Sequence, residues 1–156
     1  MSWRYKGGAG TGALADVGSH LAYVAEYLAG DITSVSGGQL RTAISERHLP
    51  LGAVVGHTIG ALSEETEPVE NDDYAGFSAT FASGTAGGLE VSRVAAGHAN
   101  SLIVEVFCEN GSAKWDQRTP SEIELMLHEG PYPQRGPRRV LLGADHPYIA
   151  GGMPMD

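Results

Sequence analysis

This chain of 156 residues has one cysteine, two lysines and no long apolar run. A lone thiol, Cys108, makes no intrachain disulfide and fits a reducing compartment. Its place in an alternating apolar pattern predicts a small buried side chain. No stretch of about 18 apolar residues occurs, so no membrane span is predicted, and no signal-peptide pattern opens the sequence. We therefore expect a cytoplasmic protein. Basic residues are scarce: 10 Lys plus Arg against 19 Asp plus Glu leave a net charge of −9. Phosphate backbones require a basic surface, so nucleic acid is not an expected partner. The six histidines form no His-x-x-x-His or His-x-His set. A metal site would have to join Asp16 and His20 to a distant third ligand, and none is expected.

Enough remains to build a core. Hydrophobic residues make up 42% of the chain, and its length suits a single domain over residues 1–156. The 22 glycines are spread among turns and strands rather than gathered in a low-complexity tract.

The most regular stretch runs from Gly10 to Gly30 and predicts an amphipathic helix over 13–29, with Thr11 as N-cap and Gly30 as stop. Leu14, Val17, Leu21, Val24 and Leu28 form an aliphatic stripe. Ala15, Gly18, Ala22, Ala25 and Ala29 form a small-residue face on one side of it. Asp16, His20, Tyr23 and Tyr27 form a polar-aromatic strip on the other, since each residue turns the helix by about 100°. Asp16 and His20 are four apart, so their side chains can meet. Such a pair is either an ordinary helix ion pair or a carboxylate that orients a proton-accepting imidazole.

Elsewhere the pattern is mostly β. Ser2–Lys6 could be an edge strand, and residues 32–44 enter a sheet. Residues 46–68 read as a long loop with one short element near 53–62. From Asp73 the period becomes two. Phe77, Ala79 and Phe81 mark one strand, and residues 88–95 return with Leu89 and Val91 on one face. Arg93 is either a solvated strand residue or part of a sheet-face ion pair. Residues 102–108 alternate again, and Asn110-Gly111 predicts a hairpin whose turn has the φ > 0 pair. Residues 113–116 and 122–127 continue the meander, 138–142 form a last short strand, and no helix is expected from His146 onward. The layout is α+β: a mostly antiparallel open β-sheet of five or more strands over about 72–127, with the helix packed on one face.

Gly10-x-Gly12-x-x-Ala15, with Asp31 about 20 residues on, formally fits a dinucleotide-binding fingerprint. The fit fails on context. Ser2–Lys6 is too short and polar for the buried strand that should precede it, and Asp31 follows a helix stop instead of ending a second strand.

Trp3-Arg4, followed by Gly10-x-Gly12-Ala13-Leu14-x-Asp16-x-Gly18-Ser19-His20, resembles the opening of the C-terminal domain of the Gfo/Idh/MocA oxidoreductases. Val69-Glu70-Asn71-Asp72-Asp73, Gly87-Gly88-Leu89-Glu90-x-Ser92-Arg93 and Gly111-Ser112-Ala113-Lys114-Trp115-Asp116 extend the resemblance over residues 2–148. It implies the substrate-binding and oligomerisation domain of an NAD(P)-dependent dehydrogenase acting on a sugar, cyclitol or related polyol. On this resemblance His20 is the proton acceptor, and Asp16 orients it or binds a neighbouring hydroxyl. Arg4 and Tyr23 lie at the substrate, and Trp3 with Arg4 lies at the cofactor. Many members carry a second Asp where this chain has Tyr23, which bears on the substrate class. The family's catalytic lysine sits in a Glu-Lys-Pro motif of a preceding nucleotide-binding domain. Neither that tripeptide nor that domain is in this sequence, so the chain is expected to be a fragment, inactive alone, with no NAD or NADP bound to it by itself. The resemblance also implies a homo-oligomer formed through the open sheet face. The alternative is a non-catalytic dimerisation or ligand-binding module that keeps only the fold.

Overall fold

Residues 12–29 are helical, but not as one regular helix. Leu14–Gly18 forms a π-helical turn, and α1 (Ser19–Ala29) continues from it. Gly30 ends α1 at φ +84°, with its N–H bonded to the Glu26 carbonyl at 2.8 Å. The computed structural model describes residues 3–53, 60–131 and 135–151.

The expected aliphatic stripe is not the buried one. A turn closed by i→i+5 bonds takes up an extra residue, so a phase extrapolated from Leu14 at α-helical spacing slips. Val17 is 46% exposed and Leu28 50% exposed. The packed face is instead Gly18, Leu21, Ala25 and Ala29, drawn largely from the small-residue side. A Cβ on Gly18 would lie only 3.3 Å from Cγ1 of Val91, so glycine here lets helix and sheet approach closely.

Two compact units divide the chain, Met1–Ala96 and Gly97–Asp156. In the first, β1 (Ile32–Arg41), β4 (Tyr74–Phe81) and β5 (Ala86–Ser92) form an antiparallel sheet in the order β1-β4-β5. Ala79, Phe81 and Leu89 are its core, covered by Leu21, Ala25 and Ala29 of α1 with Ile32 and Phe77. This is the helix-on-one-face arrangement that the alternation from Asp73 predicted.

The stretch expected to be a long loop contains a two-stranded ribbon. In it β2 (Glu46–Pro50) pairs antiparallel with β3 (Leu62–Pro68), His48 opposite Thr66. Most of its residues are exposed, and the half-buried positions are Arg47, Leu49, Ser63 and Glu67, mostly polar, so the sequence carries no apolar alternation to read. The short element expected near 53–62 falls largely on residues 54–59, outside the described residues. Nor is the segment before the helix an edge strand: Trp3–Tyr5 is a 3₁₀ turn.

In the second unit, β6 (Ile103–Cys108), β7 (Gly111–Asp116), β8 (Glu122–Leu127) and β9 (Arg138–Leu141) form a four-stranded antiparallel meander. The strands expected over 72–127 thus belong to two ladders rather than one. Register assigns the faces. Val104, Trp115, Ile123 and Val140 lie in one row, and Glu105, Lys114, Glu124 and Arg139 form a row of alternating charge on the other face. One helical turn, α2 (Pro147–Ala150), follows where none was expected, with proline at its first position.

The β6–β7 hairpin falls at the expected place with a different turn. Cys108 pairs with Gly111, so Glu109 and Asn110 are the central residues. Among the described non-glycine residues only Asn100 has positive φ, so the expected φ > 0 pair at the turn is absent. Gly111 carries the unusual backbone at φ +154°, where a Cβ would strike the Met126 carbonyl. Cys108 is exposed, not buried, because its cross-strand neighbour Gly111 has no side chain to cover it.

Candidate functional site

Asp16 lies in the π turn and His20 in the first turn of α1. His20 is exposed, Tyr23 is 74% exposed and Tyr27 82%. His20, Tyr23 and Tyr27 therefore stand off the core, while Asp16 is half-buried. Asp16 and His20 share no hydrogen bond among the described residues. The Asp16 carboxylate instead accepts from Arg4, Nε to Oδ2 at 2.9 Å. Of the expected site residues, the structure brings together Arg4 and Asp16. His20 and Tyr23 follow on the same helix, and Trp3 shares the 3₁₀ turn with Arg4.

The means of bringing Arg4 to the helix is the run Glu70-Asn71-Asp72-Asp73, just ahead of β4. Glu70 Oε2 accepts from the Gly7 N–H at 2.8 Å, and the Glu70 N–H donates to the Tyr5 carbonyl. Asn71 Nδ2 donates to the carbonyls of Arg4 and Lys6 at 2.8 and 2.9 Å.

Asp72 closes the start of the helix. Its carboxylate accepts from the Leu14 N–H at 2.8 Å and its carbonyl from the Ala13 N–H at 2.9 Å. This remote carboxylate does what Thr11 was expected to do, and its charge suits the positive end of the helix dipole. Thr11 turns away and donates to the Gly8 carbonyl. Gly12, at φ +90°, has no room for a Cβ because the Asp72 carboxylate fills the space.

Asp73 is fully buried. Its carboxylate accepts from the N–H groups of Ala43 and Ile44, from Arg93 Nε at 2.7 Å and from Arg47 Nη2 at 3.3 Å. Burial pushes its pKa up, but the Ile44 N–H and the two guanidiniums outweigh it and hold the carboxyl below its ordinary value. Arg93 is thus an ion-pair residue. Both guanidiniums also lie over the Tyr5 ring, Arg47 at 4.4 Å and Arg93 at 4.8 Å from its centre. Periodicity does not single out these residues. Their visible signal is four consecutive hydrogen-bonding side chains just before an apolar alternation begins.

Lys6 has no place as a proton acceptor. Its ammonium bonds Glu67 at 2.8 Å, and that bond holds it protonated, its pKa raised further. The glycine turn does not fit a pyrophosphate either. Its helix start is already taken by the anionic Asp72, and among the described residues the segment before it, Trp3–Tyr5, is a 3₁₀ turn.

A family model for the GFO/IDH/MocA C-terminal domain matches residues 1–114. The curated levoglucosan dehydrogenase of Pseudarthrobacter phenanthrenivorans is 32% identical over 157 residues, covering 99% of this chain and 40% of that protein. Among solved structures, an oxidoreductase domain protein from Kribbella flavida is 36% identical, with a TM-score of 0.81 over 99% of this chain and 40% of that one. Levoglucosan dehydrogenase, at 32% identity, gives 0.86 in its apo form, over 99% of this chain and 39% of that one. Its complex with NADH and levoglucosan gives 0.81, over 98% and 37%. The chain thus spans about two-fifths of the length of these relatives.

Proposed function

This chain belongs to the GFO/IDH/MocA C-terminal domain family, and from that premise we propose that it is the substrate-binding and oligomerisation domain of a cytoplasmic NAD(P)-dependent dehydrogenase acting on a sugar, cyclitol or related polyol. The observation that carries this is the exposed pair His20 and Tyr23, standing clear of the core beside a half-buried Asp16 that Arg4 bonds. A core histidine would be packed, whereas this one is open to a ligand. NADH and levoglucosan in a relative of similar fold support the cofactor and substrate classes.

In this reading NAD(P), held by a nucleotide-binding domain, is the hydride acceptor when bound. His20 takes the proton of the hydroxyl whose carbon is oxidised. Asp16, with Oδ2 on Arg4 and no bond to His20, is better placed to bind a neighbouring hydroxyl than to orient the ring. Tyr23 supplies an aromatic face and a hydroxyl beside them. Trp3 and Arg4 form the side of the site nearest the cofactor. The test is NAD(P)⁺ reduction by an enzyme carrying this domain, offered levoglucosan and a panel of cyclitols and polyols. We expect turnover with at least one of them. No oxidation of any would overturn the reading.

The oligomerisation role draws on the second unit, where the half-buried Val104, Trp115 and Ile123 with the exposed Val140 line one sheet face, and Phe107, on the other face, is 76% exposed. Apolar area of this kind is ordinarily covered by a partner. We expect sedimentation of the chain at high micromolar concentration to show a dimer or larger. A strictly monomeric profile would count against the role.

A further inference from the structure

We propose that Asn71 and Arg93 are positioning residues that hold the Arg4 main chain so that its guanidinium meets Asp16; this rests on reading Asp16 and His20 as the reacting face. The Arg4 carbonyl receives two donors, Arg93 Nη1 at 2.6 Å and Asn71 Nδ2 at 2.8 Å. The same Asn71 amide reaches the Lys6 carbonyl at 2.9 Å. One side chain thus grips two carbonyls two residues apart, Arg4 in the 3₁₀ turn Trp3–Tyr5 and Lys6 just after it. The Tyr5 ring beneath Arg47 and Arg93 secures the same turn from its side-chain edge.

Arg93 is itself immobilised. Its Nε bonds Asp73 and its Nη2 bonds Asn71 Oδ1 at 2.6 Å, so its three nitrogens serve three residues, and its side chain is only 14% exposed. A lysine, a single point charge, cannot span that fork. Arg4, by contrast, is 53% exposed, and an exposed ion pair contributes little by itself. The Arg4–Asp16 bond is therefore too weak to fix the turn. The turn, fixed from behind, presents Arg4 to Asp16.

Asn71→Asp separates this role from simple anchoring. It keeps the oxygen that accepts from Arg93 and removes both donors to the Arg4 and Lys6 carbonyls. The readout is the Arg4 Nε–H resonance of the 156-residue chain, with amide exchange along β4 and β5. We expect the Arg4 Nε–H to exchange with water roughly tenfold faster, as loss of one or two hydrogen bonds gives, while β4 and β5 stay protected. Asn71→Ala is the second variant should the first fail to fold. An Arg4 signal that stays protected in both variants overturns the proposal, whatever His20 does. Loss of β4 and β5 protection together with the Arg4 signal in both variants also overturns it, since the residues would then be anchors of the fold alone. If the Arg4 signal is released selectively but His20→Ala keeps its full kcat, the clamp stands and the catalytic reading falls.

Discussion

Replacing His20 by alanine in an enzyme that carries this domain lowers kcat by about 10²- to 10⁴-fold, the usual contribution of a positioned proton acceptor. The melting temperature stays nearly unchanged, because His20 is exposed and outside the packed face of Gly18, Leu21, Ala25 and Ala29. Asp16→Asn behaves differently. With Oδ2 on Arg4, the carboxylate in the proposed reading accepts from a substrate hydroxyl. Its neutralisation raises KM more than it lowers kcat and costs less overall than losing His20. If the strip were only a decorated helix surface, both variants would keep kcat and shift stability by at most about 1 kcal/mol. Measuring kcat at saturating substrate and the melting curve on the same two proteins decides between these readings. A normal kcat for His20→Ala removes the catalytic role.

Asp73→Ala destabilises the first unit by about 3–5 kcal/mol, the range for breaking a buried ion pair from one side. That is a large part of the 5–15 kcal/mol or so that holds a domain together. The substitution leaves Arg93 and Arg47 facing each other without their shared anion, and leaves the N–H groups of Ala43 and Ile44 without an acceptor. The pH dependence has a definite sign. The folded pKa of Asp73 lies below its unfolded value of about 3.9. Its contribution is therefore complete above that value and is lost as pH falls through the lower, folded one. Melting curves between about pH 2 and 7 should show the wild-type chain losing stability below about pH 4. Asp73→Asn, with no charge to lose, should have a flatter acid limb. An Asp73→Ala protein that melts like wild type would show that the carboxylate is not holding the two arginines.

What could be read from the sequence followed from periodicity and local pairs. The alternation of Phe77, Ala79 and Phe81 located β4, the helical spacing of His20, Tyr23 and Tyr27 located the exposed strip, and Gly30 marked the stop. What could not be read depends on backbone irregularity or distant partners. The π turn breaks the helical phase ahead of α1 without any change of residue type that would mark it. The half-buried face of the β2–β3 ribbon is carried mostly by polar residues, Arg47, Ser63 and Glu67 beside Leu49, and so has no hydrophobic period. Thr11 satisfies every local rule for an N-cap, yet Asp72 occupies that position from far along the chain. The clamp on Arg4 joins residues from three separate segments, and no spacing rule connects them.

The remote capping of the helix also dictates when the site can come into being. Asp72 lies 58 residues after the Leu14 N–H it accepts from, and Asn71 and Arg93 lie 67 and 89 residues after the Arg4 carbonyl they hold. Closing loops of that length costs entropy before any contact repays it. A ribosome that has released this stretch only as far as α1 has made the strip bearing His20 and its partner Arg4, but neither the Asp72 cap nor the Asn71 and Arg93 that hold the Arg4 carbonyl. Residues 3–6 thus settle only after β5 and the arginine beyond it have arrived.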